Sequence, residues 1–194
     1  HVFRQGDPFD AICAVRAGMV KTFTVGRDGR EQVLGFHLPG ELIGLNAIDD
    51  QRYPCNAVAL NTVALCRFSF SGIAQLATRL PALQQLLFRL LSRDIGTAER
   101  LGGDWTADQR LAAFLIGLSR RLQARGFARD RFELTMARTD IANYLRLAPE
   151  TVSRVLKRFQ DERLVQVRRR DLRLTDVERL AELALLAESY GMEG

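Results

Sequence analysis

The stretch Thr139–Leu174, TDIANYLRLAPETVSRVLKRFQDERLVQVRRRDLRL, decides how this chain is read. Apolar residues recur in it at helical spacing: Ile141, Ala142 and Leu145, then Val152, Val155 and Leu156. Thr139 or Arg138 opens a short helix to Leu145, and Pro149 suits the first turn of a second helix running to about Glu162. Each helix can bury one side against the other, and the small Ala142 permits a close crossing. Val165 and Val167, then Leu172 and Leu174, flank Arg168-Arg169-Arg170-Asp171 as a small hairpin. Two crossed helices followed by a basic hairpin make a winged helix-turn-helix.

The outward side of the second helix carries Glu150, Ser153, Arg154, Lys157 and Arg158. Glu150, Ser153 and Arg154 stand at i, i+3 and i+4 in the first turn and a half, the end that can enter a DNA major groove. Arg154 can donate two hydrogen bonds to guanine O6 and N7, Glu150 can accept from a cytosine amine, and Ser153 can do either. Lys157, Arg158, the turn residue Arg146 and the wing residues Arg169 and Arg170 have the sign and reach for phosphates, which position the helix without reading sequence. The competing reading is an ordinary Glu150–Arg154 surface pair, worth only about 0.3–0.5 kcal/mol. The crossing helices and the basic hairpin beside it favour the DNA reading.

Charge supports the same end of the chain. The protein has 194 residues and a net charge of +5. Residues 110–174 hold 16 Lys+Arg against 7 Asp+Glu, while residues 1–104 hold 11 against 10 and residues 175–194 hold 1 against 5. A neutral front joined to a basic back suggests a sensing domain followed by an anion-binding one. The alternative is that Arg120, Arg121, Arg125 and Arg129 form a solvated helix face. An apolar share of 47% fits a globular protein, and no apolar run reaches the roughly 18–20 residues of a membrane span. A cytoplasmic protein without a membrane partner is expected. Three cysteines without a C-x-x-C exclude a disulfide scaffold.

The front of the chain reads as strands. Val20, Thr22 and Thr24 alternate with Lys21, Phe23 and Val25, Arg27-Asp28-Gly29 signals a hairpin, and a second run extends from Gln32 to Phe36. Pro39-Gly40, Gly44 and Pro54 punctuate the next stretch, and one more apolar run extends from Val58 to Phe70. These short strands predict a compact antiparallel roll. Helical spacing then takes over with Ile73, Leu76, Ala77 and Leu80, and from Pro81 with Leu83, Leu87, Leu90, Leu91, Ala98 and Leu101. That seam, with Asp94 beside Ile95, resembles a coiled coil and predicts a homodimer. Packing on its own domain is the alternative. Further on, Leu111, Phe114, Leu115, Leu118 and Leu122 mark a helix capped by Thr106 or Asp108, and a last helix runs from Asp176 to Tyr190. The fold class is α+β: a β-roll over residues 1–80, a long dimerisation helix over 81–103 and a winged helix-turn-helix domain over 104–194.

Taken together the chain resembles the CRP/FNR superfamily of bacterial transcription regulators, closest to its FNR/Anr branch. The likeness rests on Phe3-Arg4-Gln5-Gly6-Asp7, Gly35-Phe36-His37-Leu38-Pro39-Gly40-Glu41-Leu42-Ile43-Gly44, Arg120-Arg121-Leu122 with Arg125-Gly126-Phe127, and Glu150-Thr151-Val152-Ser153-Arg154. It implies a cyclic-nucleotide-binding-like roll, a dimer helix of Leu87, Leu91, Asp94, Ile95, Ala98 and Leu101, and a palindromic TTGAT-type DNA site. Activation would add a surface for RNA polymerase. The resemblance also implies oxygen or redox sensing through a [4Fe-4S] cluster, with Cys66 in Ala64-Leu65-Cys66-Arg67-Phe68 as the fourth ligand. Such a cluster takes four ligands, and the other three are expected upstream of residue 1, since the sequence begins with His1. By itself Cys66 would read as a strand core residue, and Cys13 and Cys55 as packing.

The sequence departs from the family in places. The inter-helix turn usually carries Gly in a left-handed conformation, and here it is Arg146, at a cost of about 1 kcal/mol. Ala148 is a weak N-cap, costing about 1 kcal/mol. Where cyclic-nucleotide binders place an Arg-Ser pair for the phosphate, this chain has Tyr53-Pro54-Cys55-Asn56-Ala57, with Arg52 as the nearest cation. Burial of a phosphate without donors is costly, so a CRP-like regulator whose roll binds a cyclic nucleotide or haem is the second reading. An enzyme is a weak third, because two histidines and no nucleophile or phosphate-loop motif leave little to build a site from.

Overall fold

A computed structural model describes residues 1–100 and 105–189, with 93–100 and 185–189 as backbone alone. The chain divides into two compact units, residues 1–103 and 104–194.

The first unit is built from six strands: β1 (Ala11–Ala17), β2 (Val20–Val25), β3 (Glu31–His37), β4 (Leu42–Ile43), β5 (Asn56–Ala59) and β6 (Ala64–Ser69). They form two three-stranded antiparallel sheets, ordered β4-β1-β6 and β3-β2-β5. The apolar run from Val58 to Phe70 is therefore not one strand. It breaks at Leu60–Val63 so that its halves join different sheets, held by the bond from the Leu60 N–H to the Met19 carbonyl (2.9 Å). Gly18 makes that corner possible, since a Cβ there would lie 2.3 Å from the Thr62 carbonyl oxygen. Both faces that the alternation on β2 separates are covered, since Val20, Lys21, Thr22 and Phe23 are all buried. Lys21 reaches Glu31 at 3.2 Å with its ammonium 4.8 Å from the Phe23 ring centre, and Thr22 Oγ1 lies 3.0 Å from His37 Nε2. Both faces of a central strand can be buried when its polar groups find partners.

Helices α1 (Phe70–Arg79) and α2 (Pro81–Arg100) close this unit, α1 capped by Ser69, whose hydroxyl accepts from the Gly72 N–H. Ile73, Leu87, Leu90 and Leu91 rest against the core around Ile12, Val20 and Ala57. Leu87 and Leu91, expected on a seam with a second copy, thus pack against their own roll while staying half-buried. The apolar side chains this segment exposes are Leu76, Leu80, Leu86 and Phe88, the last at 60%. Asp94, Ile95, Ala98 and Leu101, expected on the same seam, lie outside the residues whose side chains are described. No described helix is long and apolar enough to cross a membrane.

The second unit contains α3 (Ala107–Gln123), β7 (Arg131–Glu133), α4 (Arg138–Tyr144), α5 (Pro149–Asp161), β8 (Val165–Arg168), β9 (Asp171–Leu174) and α6 (Val177–Ser189). Its sheet is antiparallel in the order β7-β9-β8. Thr106 and Gln109 start α3 with a reciprocal capping box. Ile141, Ala142 and Leu145 of the first helix and Val152, Val155 and Leu156 of the second are all buried, as their spacing requires. Three helices end in one hydrogen-bonded motif. Phe127 N–H reaches the Leu122 carbonyl at 3.2 Å, Leu147 N–H the Ala142 carbonyl at 2.9 Å, and Leu164 N–H the Phe159 carbonyl at 2.8 Å. The residue before each donor is left-handed: Gly126 at φ 81°, Arg146 at 54° and Arg163 at 58°.

Candidate nucleic-acid interface

The reading end of α5 begins with Ala148, which caps through no side chain, and Pro149 at the first helical position. Glu150, Ser153 and Arg154 are exposed there. The Ser153 hydroxyl donates to the Pro149 carbonyl at 3.0 Å, which leaves its oxygen able to accept. Glu150 and Arg154 make no ion pair among the described residues, so the ordinary surface pair does not form and both groups stay open to a ligand.

The cations behind them fall into two groups, paired and unpaired. Lys157 is paired with Asp161 at 2.7 Å, and Arg158 with Asp108 in the first turn of α3. Sequence assigns both to phosphates; in the structure each is held by a carboxylate of its own chain. Arg146, Arg169 and Arg170 are exposed and engage no side-chain partner among the described residues. Arg110 of α3 donates to the Leu145 carbonyl at 3.2 Å and to the Trp105 carbonyl at 3.0 Å, fixing the end of α4 just before the turn.

The wing is fastened to the same helix. Gln160 Oε1 accepts from the Val167 N–H at 3.1 Å. Asp171 pairs with Arg131 across β9 and β7 at 2.9 Å, and the guanidinium hydrogen bond holds its carboxyl below the usual carboxylate range. Between α5 and the wing lies a cleft of about 160 Å³ lined by Arg138, Ser153, Leu156, Lys157, Gln160 and Val167. Arg138 Nη1 is buried there without a hydrogen-bond partner, and burial lowers the guanidinium's pKa. Sequence marks Arg138 only as a helix start and Asp108 only as a candidate helix cap, and does not single out Gln160. Nothing in their spacing signals them, because each acts on an element distant in the chain.

In the first unit, the arm that the resemblance gives to a cyclic phosphate is filled from inside. Tyr53 is 3% exposed, stacks on Phe3 with ring centres 3.9 Å apart, and donates to the Ala11 carbonyl at 2.6 Å. Cys55, Asn56 and Ala57 are buried. Arg52, the nearest cation, donates to the Gly6 carbonyl at 2.7 Å. Cys66 lies half-buried on the edge strand β6, its sulfur 4.0 Å from Arg16 Nη1. Cys13 and Cys55 are packed in the core, where burial pushes both thiols up. Among the described residues no group of three or more His, Cys, Asp or Glu is placed to hold a metal ion.

Known proteins agree with this arrangement. Residues 109–183 match the Crp-like helix-turn-helix domain and residues 1–79 the cyclic nucleotide-binding domain. The transcriptional activator protein anr of Pseudomonas aeruginosa is 45% identical over 186 residues, covering 94% of this chain and 76% of that protein. This chain belongs to the CRP/FNR family of transcription regulators. The anaerobic regulatory protein of Haemophilus influenzae is 40% identical, over 94% of this chain and 72% of its own length. Among solved structures, FixK2 from Bradyrhizobium japonicum superposes with a TM-score of 0.82 at 27% identity, covering 94% of this chain and 91% of that one. As a CRP/FNR member the chain is a DNA-binding regulator and not an enzyme.

Proposed function

We propose that this regulator binds as a homodimer to a palindromic TTGAT-type site, as an activator of the FNR/Anr kind. The observation that carries the reading is the exposed, mutually unpaired set Glu150, Ser153 and Arg154 on the first turns of α5. Arg154 pairs with a guanine, Glu150 with a cytosine amine, and Ser153 accepts from or donates to a neighbouring base. Arg146, Arg169 and Arg170 hold phosphates directly, and Arg138 supplies a further donor from the cleft beside the wing. Lys157 and Arg158 reach phosphates by exchanging Asp161 and Asp108 for them. The exposed Leu86 and Phe88 and the half-buried Leu87 and Leu91 support α2 as the contact between copies, with Asp94, Ile95, Ala98 and Leu101 continuing it. Activation adds a contact with RNA polymerase.

Redox sensing through a [4Fe-4S] cluster rests on Cys66 and on the similarity to anaerobic regulatory proteins. The described residues do not complete a donor set: Cys66 offers one thiolate, and Cys13 and Cys55 are enclosed in the core. Three ligands would have to come from outside these residues, so the cluster explains no step of DNA binding here.

The test compares DNA affinities. Arg154→Ala is expected to lose about 1–3 kcal/mol of discrimination at one guanine. Lys157→Ala should weaken binding to all duplexes alike. Equal loss on specific and random DNA for Arg154→Ala would remove α5 as the reading helix.

A further inference from the structure

Among the described residues, the buried side-chain nitrogen left without a hydrogen-bond partner is Nη1 of Arg138. A guanidinium N–H enclosed without an acceptor is costly, and native folds leave few such groups unanswered. Burial lowers this guanidinium's pKa, as it does for a cation short of counter-charge. The residues around the cleft supply no carboxylate: they are Arg138, Ser153, Leu156, Lys157, Gln160 and Val167, enclosing about 160 Å³. Gln160 commits its oxygen to the Val167 N–H at 3.1 Å, which leaves its amide hydrogens as donors. The cleft thus combines two cations and a neutral donor with two aliphatic side chains.

Volume and lining define what fits. A water takes about 30 Å³ of the liquid, so the cleft has room for roughly five heavy atoms. That is well below the roughly 300 Å³ at which pockets for larger ligands begin. An inorganic oxyanion would answer the charge and leave Leu156 and Val167 uncovered. A carboxylate on a short alkyl body answers both, since its two oxygens match the planar donors of a guanidinium and its methylenes cover the aliphatic side chains. A DNA phosphodiester does not meet this need, because its two ester arms keep it on the surface while Nη1 is enclosed. Arg138 as a whole is half-buried, so its outer edge stays free to serve the DNA backbone. Lys157 is the part of the lining that can yield. Its ammonium is held only by Asp161 at 2.7 Å, in a pair exposed on both sides, and such pairs are weak.

We propose that the cleft between α5 and the wing binds a small aliphatic carboxylate, held by Arg138 and Lys157 and packed on Leu156 and Val167, and that its occupation weakens DNA binding. An occupied cleft draws Lys157 away from the DNA backbone and sets a negative charge beside Ser153 on the reading helix. The effect is reciprocal, so DNA expels the carboxylate by the same factor. The coupling rests on the DNA-binding reading above; the carboxylate site itself stands without it.

The probe is propionate, with propionamide as its uncharged isostere and inorganic phosphate as the anion without an alkyl body, at ionic strength held constant with sodium chloride. Calorimetry on the full chain without DNA should show saturable propionate binding with a Kd of about 1–10 mM. Propionamide and phosphate should bind at least about tenfold more weakly. Arg138→Gln removes the cation and Val167→Phe fills the cleft while keeping it, and both should lose propionate. Fluorescence anisotropy then follows a duplex carrying a TTGAT-type palindrome and a scrambled duplex. Saturating propionate should weaken binding to both by about fivefold or more. It should also make the slope of log affinity against log salt shallower by about 0.9. Val167→Phe should bind DNA with no response to propionate. No saturable binding to wild type, or binding that survives in a folded variant, overturns the site. Phosphate binding as tightly as propionate overturns the carboxylate assignment. Propionate bound with DNA affinity unaltered overturns the coupling. Should a variant fail to fold, the comparison of the three ligands on wild type still decides. Failure of the DNA-binding reading looks different: the chain ignores both duplexes even without propionate, while calorimetry still records the carboxylate.

Discussion

The two units of this regulator treat their polar groups in opposite ways. In the β-roll, polar side chains turn inward and are answered there: Lys21 by Glu31, Thr22 by His37, and Tyr53 by the Ala11 carbonyl. In the helix-turn-helix unit the groups that matter are turned outward, and Glu150, Arg146, Arg154, Arg169 and Arg170 have no side-chain partner among the described residues. Unanswered charge on a surface is capacity for a ligand, while answered charge in a core is structure. The contrast explains why one unit announces its chemistry and the other does not.

The largest expected effect attacks the roll. Tyr53→Arg puts the cation of a cyclic-phosphate arm back in its place in the chain. It should cost the first unit about 3–5 kcal/mol by removing a buried ring and burying an unpaired charge, with no gain in cyclic AMP affinity. Calorimetry with the nucleotide and thermal unfolding decide this, and a stable variant that binds cyclic AMP would show that the site is latent rather than filled.

A moderate effect lies on the other side of the contrast. Asp108→Asn releases Arg158 to the surface, so affinity for random duplex should rise and its salt slope steepen by about 0.9. The fold should lose no more than about 1 kcal/mol, because this ion pair is partly exposed and screened. An unaltered slope would mean that Arg158 stays on α3 and is purely structural.

The smallest effect separates the cysteines. Iodoacetamide at neutral pH should label Cys66 and spare Cys13 and Cys55, each 1% exposed, until the roll unfolds. Burial raises the thiol pKa of these two in the folded state, so the folded chain keeps protons that the unfolded chain releases. Their contribution to stability is therefore whole below the ordinary thiol value and shrinks as pH rises above it. Mass spectrometry of the labelled peptides and Tm measured between pH 7 and about 9.5 would show both trends.

Much of the helix-turn-helix unit was legible in the sequence because its rules are local. Ile141, Ala142 and Leu145, with Val152, Val155 and Leu156, carry the crossing in their spacing alone, and the need for a left-handed residue at Arg146 comes from the turn. The roll was less legible. The alternation on β2 separates its two faces but does not tell that both are buried, since strand periodicity cannot tell a polar face in water from one buried against partners on other strands. The break between β5 and β6 was equally hidden, because its cause is the close approach of Gly18 to Thr62.

The same limit governs the interface. Sequence determined which residues could read bases and which could touch phosphates, because residue type and helical spacing set chemistry and facing. Only the tertiary structure decided that Arg158 is held by Asp108, that Arg138 is half-sunk in a cleft beside the wing, and that Leu87 and Leu91 lean on their own roll. Those are choices among partners brought together from distant parts of the chain. They depend on geometry in three dimensions, which no local pattern of residues encodes.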